Sequence, residues 1–418
     1  MKVLFVSTTD ISGGAARATM RIMRGVQQRG VEVQEFVKYK YSQLQDVVAE
    51  SALKPTNALY VILDWIVTKI QNKWHQNKWH PYRQAKKKYY LSDARGTAAA
   101  RTLRKFDYDI LHLHWINMRF IDVQQLCKIH KPIVWTLHDS WEFTAICHVP
   151  YDCRRYETHC GACPMLDSKK ENDLAFEVFE KKLTAYKDLN LHIVTPSTWL
   201  GNCVKRSALL GQYPITVIPN CIDTELYTPF GQKEARKLLH LDLNKTYLLF
   251  GAMHATEDAN KGFAYLQKAL NHVSGTNMEL LVYGSTDDLL SYSLPLPVRV
   301  LGYINNDKMM ALLYNAADVC IVPSLSENLS NTIMESLSCS TPVVAFNIGG
   351  NSDMIDHQQN GYLAKEKDYE DLAKGIEWCL MHNADEALSK YAREKVMQNY
   401  TIDIVSKQYN QLYQSICK

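Results

Sequence analysis

Residues 2–38 read KVLFVSTTDISGGAARATMRIMRGVQQRGVEVQEFVK, and their pattern decides the fold. KVLFVST is the short apolar run of a buried strand, and TDISGG is a glycine loop. AARATMRIMRGVQQRG spaces its apolar residues as a helix does and stops at Gly30, after which VEVQEFVK reads as a second strand. The chain therefore opens with a strand, helix, strand unit.

The same alternation continues. DILHLHW (109–115), PIVWTLHD (132–139), LHIVTPS (191–197) and ITVIPN (215–220) are strand-like runs separated by helical stretches such as AFEVFEKKLTAYKD and WLGNCVKRSALLG. The pattern restarts with YLLFGAM (247–253), MELLVYG (278–284), VRVLGY (298–303), VCIVPS (319–324) and PVVAFN (342–347). Repeated strand–helix alternation implies parallel sheets covered by helices on both faces. The expectation is α/β: two Rossmann-like, doubly wound parallel-sheet domains facing an interdomain cleft, where the strands' carboxyl ends bind ligands. The expected domains are 1–224, 225–395 and a C-terminal helix at 396–418 that packs back on the first.

A length of 418 residues fits two domains, since single cores stop growing near roughly 250 to 300 residues. With 46% hydrophobic and 22% charged residues, the composition excludes disorder and fibrous repeats. A net charge of +3 gives no electrostatic reason to expect nucleic acid. MKVLFVSTTD turns polar too early for a secretory signal, and no window supplies the roughly 20 apolar residues of a membrane span. The expected location is the cytoplasm, where the 11 cysteines are thiols or metal ligands.

The segment richest in chemistry is PSLSENLSNTIMESLSCSTPVVAFNIGGNSD (323–353). Glu327 falls in the loop after a buried strand, and Glu335 falls eight positions later on a helix that starts near Leu329 or Ser330. The amides of Asn328, Leu329, Ser330 and Asn331 are then available to a diphosphate at the helix's positive end. Glu335, further inside, can accept both hydrogen bonds of a ribose diol, and Glu327 can do the same for a sugar. Two glutamates at this spacing are ordinarily a solvated face; their position after a buried strand argues otherwise.

Over its whole length the chain resembles the family 4 retaining glycosyltransferases of the GT-B fold. The resemblance rests on E-x7-E at Glu327 and Glu335, TPSTWL at 195–200, IPNCID at 218–223, Lys261-Gly262 and Gly349-Gly350, in that family's order. It implies a metal-independent retaining transfer from a nucleotide-sugar donor (a UDP- or GDP-sugar) to a saccharide or lipid-linked saccharide acceptor. It also implies that Glu335 binds the ribose, Glu327 the donor sugar and Lys261 the diphosphate, that His138 sits beside the sugar, and that the Gly13-Gly14 loop approaches the phosphates. Two departures stand out. The family's arginine after the strand YLLFGAM is replaced around Ala252 and Met253, for which His254 or Arg17 can compensate, and Cys221 replaces a turn glycine. For Lys261 the plain alternative is an exposed lysine, and for His138 a satisfied buried histidine.

CHVPYDCRRYETHCGACP places Cys147, Cys153, Cys160 and Cys163 in a C-x5-C-x6-C-x2-C pattern within an insert at 147–163. Four thiols match a structural zinc, with His148 and His159 as substitutes; free thiols and a redox switch remain open. Similar cysteine-rich inserts, together with SGGAAR, occur in a branch of the family linked to exopolysaccharide and colanic-acid-type assembly. Residues 59–90 combine apolar residues, Trp65, Trp74, Trp79 and Lys86–Lys88, which reads either as an amphipathic surface helix or as peripheral contact with the inner face of the cytoplasmic membrane. The other enzyme reading is a GT-B-fold sugar-nucleotide epimerase or phosphorylase, and the non-enzymatic one a catalytically impaired sugar-binding scaffold. An oxidoreductase is disfavoured because G-x-G-x-x-G is absent and the second strand ends in Lys38 and Lys40 instead of a ribose-binding acid.

Overall fold

The computed structural model describes residues 1–54, 58–85, 91–97, 99–251, 258–275, 277–284, 293–382 and 387–417. Among these, two compact units separate, one made of 1–196, 200–218 and 407–418, the other of 197–199 and 219–406. The division falls at Ile218, upstream of the junction expected from composition, because Ile222 already donates its amide to the Tyr400 carbonyl at 2.9 Å within the second unit.

The first unit holds a parallel sheet of β1 (Lys2–Thr9), β2 (Glu32–Tyr39), β3 (Val47–Ala49), β4 (Ile110–Leu113), β5 (Ile133–Thr136), β6 (Leu191–Thr195) and β7 (Ile215–Val217). Their spatial order is β3-β2-β1-β4-β5-β6-β7. Strand β1 lies between β2 and β4, with Val6 opposite Phe36 on one side and Leu113 on the other. The order reverses between β1 and β4, which opens a crevice at the strands' carboxyl ends. Helix Gly14–Gln28 turns Met20, Ile22, Met23 and Val26 inward. Gly30, at φ 80°, ends it in the left-handed conformation that only glycine adopts without strain. Residues 407–418 close this unit through Tyr409, whose hydroxyl meets Thr136 Oγ1 at 3.0 Å, and Tyr413, whose hydroxyl meets His112 Nδ1 at 2.7 Å.

The second unit repeats the plan with β8 (Thr246–Gly251), β9 (Met278–Tyr283), β10 (Val298–Val300), β11 (Val319–Val322), β12 (Val343–Phe346) and β13 (Gly361–Ala364), in the order β10-β9-β8-β11-β12-β13. Tyr247 and Leu249 pack with Ile333 and Leu337 on one face, and Leu248 and Phe250 with Leu266 and Ile376 on the other. Both faces of β8 are thus dry, which is why its sequence is an unbroken apolar run without polar alternation. No helix among the described residues is long and apolar enough to cross a membrane.

Candidate active site

In the second unit, β11 delivers the chain into the loop 323–330, and Ser330 caps helix Asn331–Ser338, its Oγ facing the Ile333 amide at 3.5 Å. The first amides of that helix have no carbonyl a turn earlier to bond, so its positive end serves the loop. Glu327 Oε1 meets Lys261 Nζ at 3.3 Å. The Glu327 charge lifts Lys261 above the ordinary lysine range despite the opposite pull of burial, so the ammonium is held firmly protonated.

Lys261 owes its position to Asn260. The Asn260 side chain donates to the Ser326 carbonyl at 3.0 Å, and the Asn260 backbone carbonyl accepts from the Leu325 amide at 2.8 Å. Gly262, at φ 72°, follows directly, and a β-carbon there would lie 1.8 Å from the Pro323 oxygen. From the other side, a β-carbon on Gly349 would lie 1.7 Å from the Glu327 oxygen, and one on Gly350 2.0 Å from the Asn328 oxygen. The glycines let three backbone segments touch, so the Glu327 loop is clamped. Ser197 Oγ, at 2.8 Å from Asn328 Oδ1, and the Thr198 amide, at 2.7 Å from Asp353 Oδ2, brace the same region.

Glu335 lies deeper, 5% exposed, and accepts a hydrogen bond from the Tyr314 hydroxyl at 3.1 Å. Tyr314 in turn meets the Tyr283 hydroxyl at 3.0 Å. Burial pushes both phenols up, so they remain donors in a chain that ends on the carboxylate. Neither tyrosine was singled out from sequence. The usable signal was Gly251 ending β8, where a β-carbon would lie 1.9 Å from the Tyr283 ring. Ala252, Met253 and His254 lie outside the described residues.

In the first unit Gly13, at φ 94°, caps helix Gly14–Gln28 with nothing within 4 Å of its would-be β-carbon, so dihedral angle alone demands glycine. Arg17 occupies the first turns of that helix, its amide bonded to the Gly13 carbonyl at 3.1 Å. His138 follows β5 and faces His114, Nε2 to Nδ1 at 3.0 Å, while His112 is held by Thr136 Oγ1 at 2.8 Å. Burial lowers His138 to about 4 and drives His112 and His114 well below the ordinary value, so all three are neutral near pH 7. An unfolded histidine titrates near ~6.5, so between the two values only the unfolded chain takes up the proton, and stability is lost as pH falls through that window. For His138 alone the loss at pH 5 is about 2 kcal/mol, with His112 and His114 adding in the same direction. Urea unfolding at pH 7 and pH 5 is expected to show it; identical midpoints would mean that these imidazoles are charged in the fold.

The zinc expectation is not supported. Among the described residues no group of three or more His, Cys, Asp or Glu is arranged to hold a metal ion. The two histidines named as substitutes are engaged elsewhere, His148 with Asp139 and Ser92 at 2.8 Å each, His159 with Glu180 at 2.6 Å and the Cys160 carbonyl at 2.7 Å. Cys147, Cys153, Cys160 and Cys163 carry free thiols, with Cys147 against Cys163, whose thiol raises it well above the ordinary range. Lys182 is buried beside them, donating to the Thr144 carbonyl at 3.0 Å, and burial brings it down to about 7. Within the insert Cys147, Pro150, Tyr156, Gly161 and Cys163 are buried, while Asp152, Arg154, Arg155 and Thr158 are exposed.

The family model described as Glycosyltransferase Family 4 matches residues 12–226, just over half of the chain, and the model described as Glycosyl transferases group 1 matches residues 244–382. The putative colanic acid biosynthesis glycosyl transferase WcaC of Escherichia coli is 25% identical over 259 residues, covering 57% of this chain and 58% of its own. The UDP-Gal:alpha-D-GlcNAc-diphosphoundecaprenol alpha-1,3-galactosyltransferase of Escherichia coli is 24% identical over 200 residues, 45% of this chain and 51% of its own. The chain thus spans little more than half the length of these two relatives. The crystal structure of Anabaena HepE with UDP and glucose superposes with a TM-score of 0.65 at 17% identity, covering 99% of this chain and 100% of that one.

Proposed function

The chain belongs to glycosyltransferase family 4, and on that premise we propose that it transfers a sugar from a UDP- or GDP-sugar to a saccharide or lipid-linked saccharide, with retention and without a catalytic metal. Family membership favours transfer over the epimerase and scaffold readings. The observation that carries the site is the Lys261–Glu327 pair at the mouth of helix Asn331–Ser338, with Glu335 behind it. Glu335 takes the ribose hydroxyls, Glu327 a hydroxyl of the donor sugar, and Lys261 with the helix amides takes the diphosphate as negative charge grows on it. By family resemblance the Gly13-Gly14 loop is proposed to bind phosphate and His138 to bind sugar, the latter as a neutral hydrogen-bonding group. As the bond from the anomeric carbon to the diphosphate oxygen breaks, the acceptor oxygen attacks from the same face and its proton passes to the departing diphosphate. No protein nucleophile is required, so the residues act by position and electrostatics. A UDP donor is supported by the HepE complex, and a role in cell-surface polysaccharide assembly by the name of the WcaC relative.

The test is to incubate the protein with a panel of nucleotide-sugars with and without a saccharide acceptor. Nucleoside diphosphate release that depends on acceptor, and a product with the donor's anomeric configuration by NMR, are expected. Inverted product sinks the retaining assignment, and turnover abolished by EDTA and restored by Mg²⁺ sinks metal independence.

We also propose that helix Ala58–Trp79 rests on the inner face of the cytoplasmic membrane. Ile62, Ile66, Ile70 and Trp74 recur at every fourth position and are between 39 and 64% exposed, an apolar stripe with Lys69 and Lys73 beside it. Trp79 is not part of this face, being buried with its indole N–H toward Asp93 Oδ2 at 3.5 Å. The Trp65 side chain and Lys86–Lys88 lie outside the described residues. Ile66→Glu with Ile70→Glu is expected to move the protein from the floating to the soluble fraction with anionic vesicles; unchanged flotation removes the idea.

A further inference from the structure

The four cysteines of the insert take no part in the proposed transfer, yet the fold draws their sulfurs together. Cys147 forms an antiparallel bridge with Leu91, and its amide donates to the Thr144 hydroxyl at 3.1 Å. The same hydroxyl donates to the Cys147 carbonyl at 2.8 Å. Cys163 is fixed by other elements: its amide donates to Asp173 Oδ2 at 2.7 Å, and Asp173 caps helix Leu174–Tyr186 by accepting from the Phe176 amide at 3.0 Å. With both backbones held, the two buried side chains meet, and the Cys147 thiol donates to the Cys163 sulfur. Sulfurs already in contact can be joined without moving the chain.

The turn that presents Cys163 carries a conformational cost. Ala162, directly before it, holds left-handed backbone at φ 41°, and its amide donates to the Lys170 carbonyl at 3.0 Å. A β-carbon on Gly161 would lie 2.5 Å from the Glu171 oxygen, so these two segments touch. Non-glycine residues keep such backbone where their surroundings over-determine it. On the far side of the turn the Met165 amide donates to the Cys163 sulfur, and the Leu166 amide is shared between that sulfur and the Cys163 carbonyl, the latter at 3.1 Å. Burial and the Asp173 carboxylate oppose a charge on this sulfur, but its three donors favour one, and the thiolate is the form that attacks an oxidant. A cavity of about 550 Å³ on the insert is lined by Cys153, Arg154, Arg155, Pro164 and Met165, the last two following Cys163 directly. It brings solvent, and a small oxidant with it, to the edge of the pair.

We propose that Cys147 and Cys163 are a reversible redox lock on the insert, joined as a disulfide by a hydroperoxide and parted again by a dithiol. The Cys163 sulfur attacks hydrogen peroxide, takes one oxygen as sulfenic acid and releases water. The Cys147 sulfur then displaces that oxygen as a second water, and the S–S bond forms. Two thiols have given up two protons and two electrons, and one peroxide has become two waters. The bond closes a loop of about 15 residues and ties the segment around Cys147 to helix Leu174–Tyr186 through Asp173, which removes freedom from the unfolded chain. The lock stands whether or not the chain transfers a sugar.

The full chain, reduced with dithiothreitol, freed of it and treated with hydrogen peroxide, tests this by peptide mass spectrometry after the remaining thiols are blocked. A cross-linked pair of peptides carrying Cys147 and Cys163 is expected, with the melting temperature raised by roughly 5 °C or more and both changes reversed by dithiothreitol. Cys147→Ser should lose the cross-link and the rise, while Cys153→Ser with Cys160→Ser should keep both. The pairing is read on the parent chain, so a variant that folds poorly does not blunt the test. Cross-linking of other cysteines in place of this pair, or a Cys147–Cys163 bond with no rise in melting temperature, overturns the lock. Sulfinic or sulfonic acid at Cys163 without a cross-link does so as well. One equivalent of zinc held by the reduced chain and lost in Cys147→Ser would make the thiols metal ligands, and that too overturns it.

Discussion

Lys261→Ala and Glu327→Ala are each expected to lower kcat/KM about a thousandfold or more while leaving the melting temperature almost unchanged. The lysine side chain of the pair is 31% exposed, so its contribution to folding is close to that of a surface ion pair, about 1 kcal/mol. In the proposed transfer its weight is greater, because charge would develop on the leaving diphosphate beside a clamped, partly buried loop. Removing Lys261 takes away a cation that Glu327 keeps protonated at every working pH, so raising or lowering pH between 6 and 9 should not restore the variant. Lys261→Arg is expected to recover only part of the rate, since a fork does not reproduce a compact ammonium. Steady-state kinetics with a nucleotide-sugar and acceptor, beside thermal melting, checks all of this. Wild-type turnover in Lys261→Ala would remove the diphosphate role.

Gly349→Val is expected to reduce donor affinity at least about a hundredfold and to destabilise the second unit by about 2 to 4 kcal/mol. Two costs combine there. Backbone at φ 53° disfavours a β-branched residue, and the β-carbon would stand 1.7 Å from the Glu327 oxygen, which cannot yield without moving the loop. Gly13→Ala is the contrast: its φ of 94° carries a conformational cost of about 1 kcal/mol, but no atom lies within 4 Å to be pushed aside. Denaturant unfolding and titration with UDP separate the two effects. If Gly349→Val bound UDP as the parent does, the clamp on Glu327 would be irrelevant to the donor.

Much of the fold, and the acids of the proposed site, were legible in local pattern. Unbroken β-branched runs between helical stretches imply parallel strands covered on both faces; β4, β5, β6, β7, β9, β10, β11 and β12 lie within the runs that predicted them, and β1, β2 and β8 overrun theirs by one residue. The short β3 and β13 were not legible: Val47–Ala49 and Gly361–Ala364 are edge strands with too few apolar residues to stand out. Glu327 and Glu335, the proposed donor-site acids, stand out in the sequence because the loop and the helix that carry them are neighbours along the chain.

The remainder depended on convergence between distant residues. Lys261 meets Glu327 across 66 positions, and Tyr314 reaches Glu335 across 21. No periodicity encodes such meetings, because they arise from which strands lie side by side once apolar faces are buried. The cysteine insert shows the same limit in the other direction: its spacing suggested four ligands around a metal, but the packed fold commits its histidines to Asp139, Ser92 and Glu180 and leaves the cysteines as thiols. Backbone pattern is set by local dihedral preference and by which side chains leave water. Where charges finally meet is set by tertiary packing, since electrostatic and hydrogen-bond energies depend on distance in space rather than along the chain.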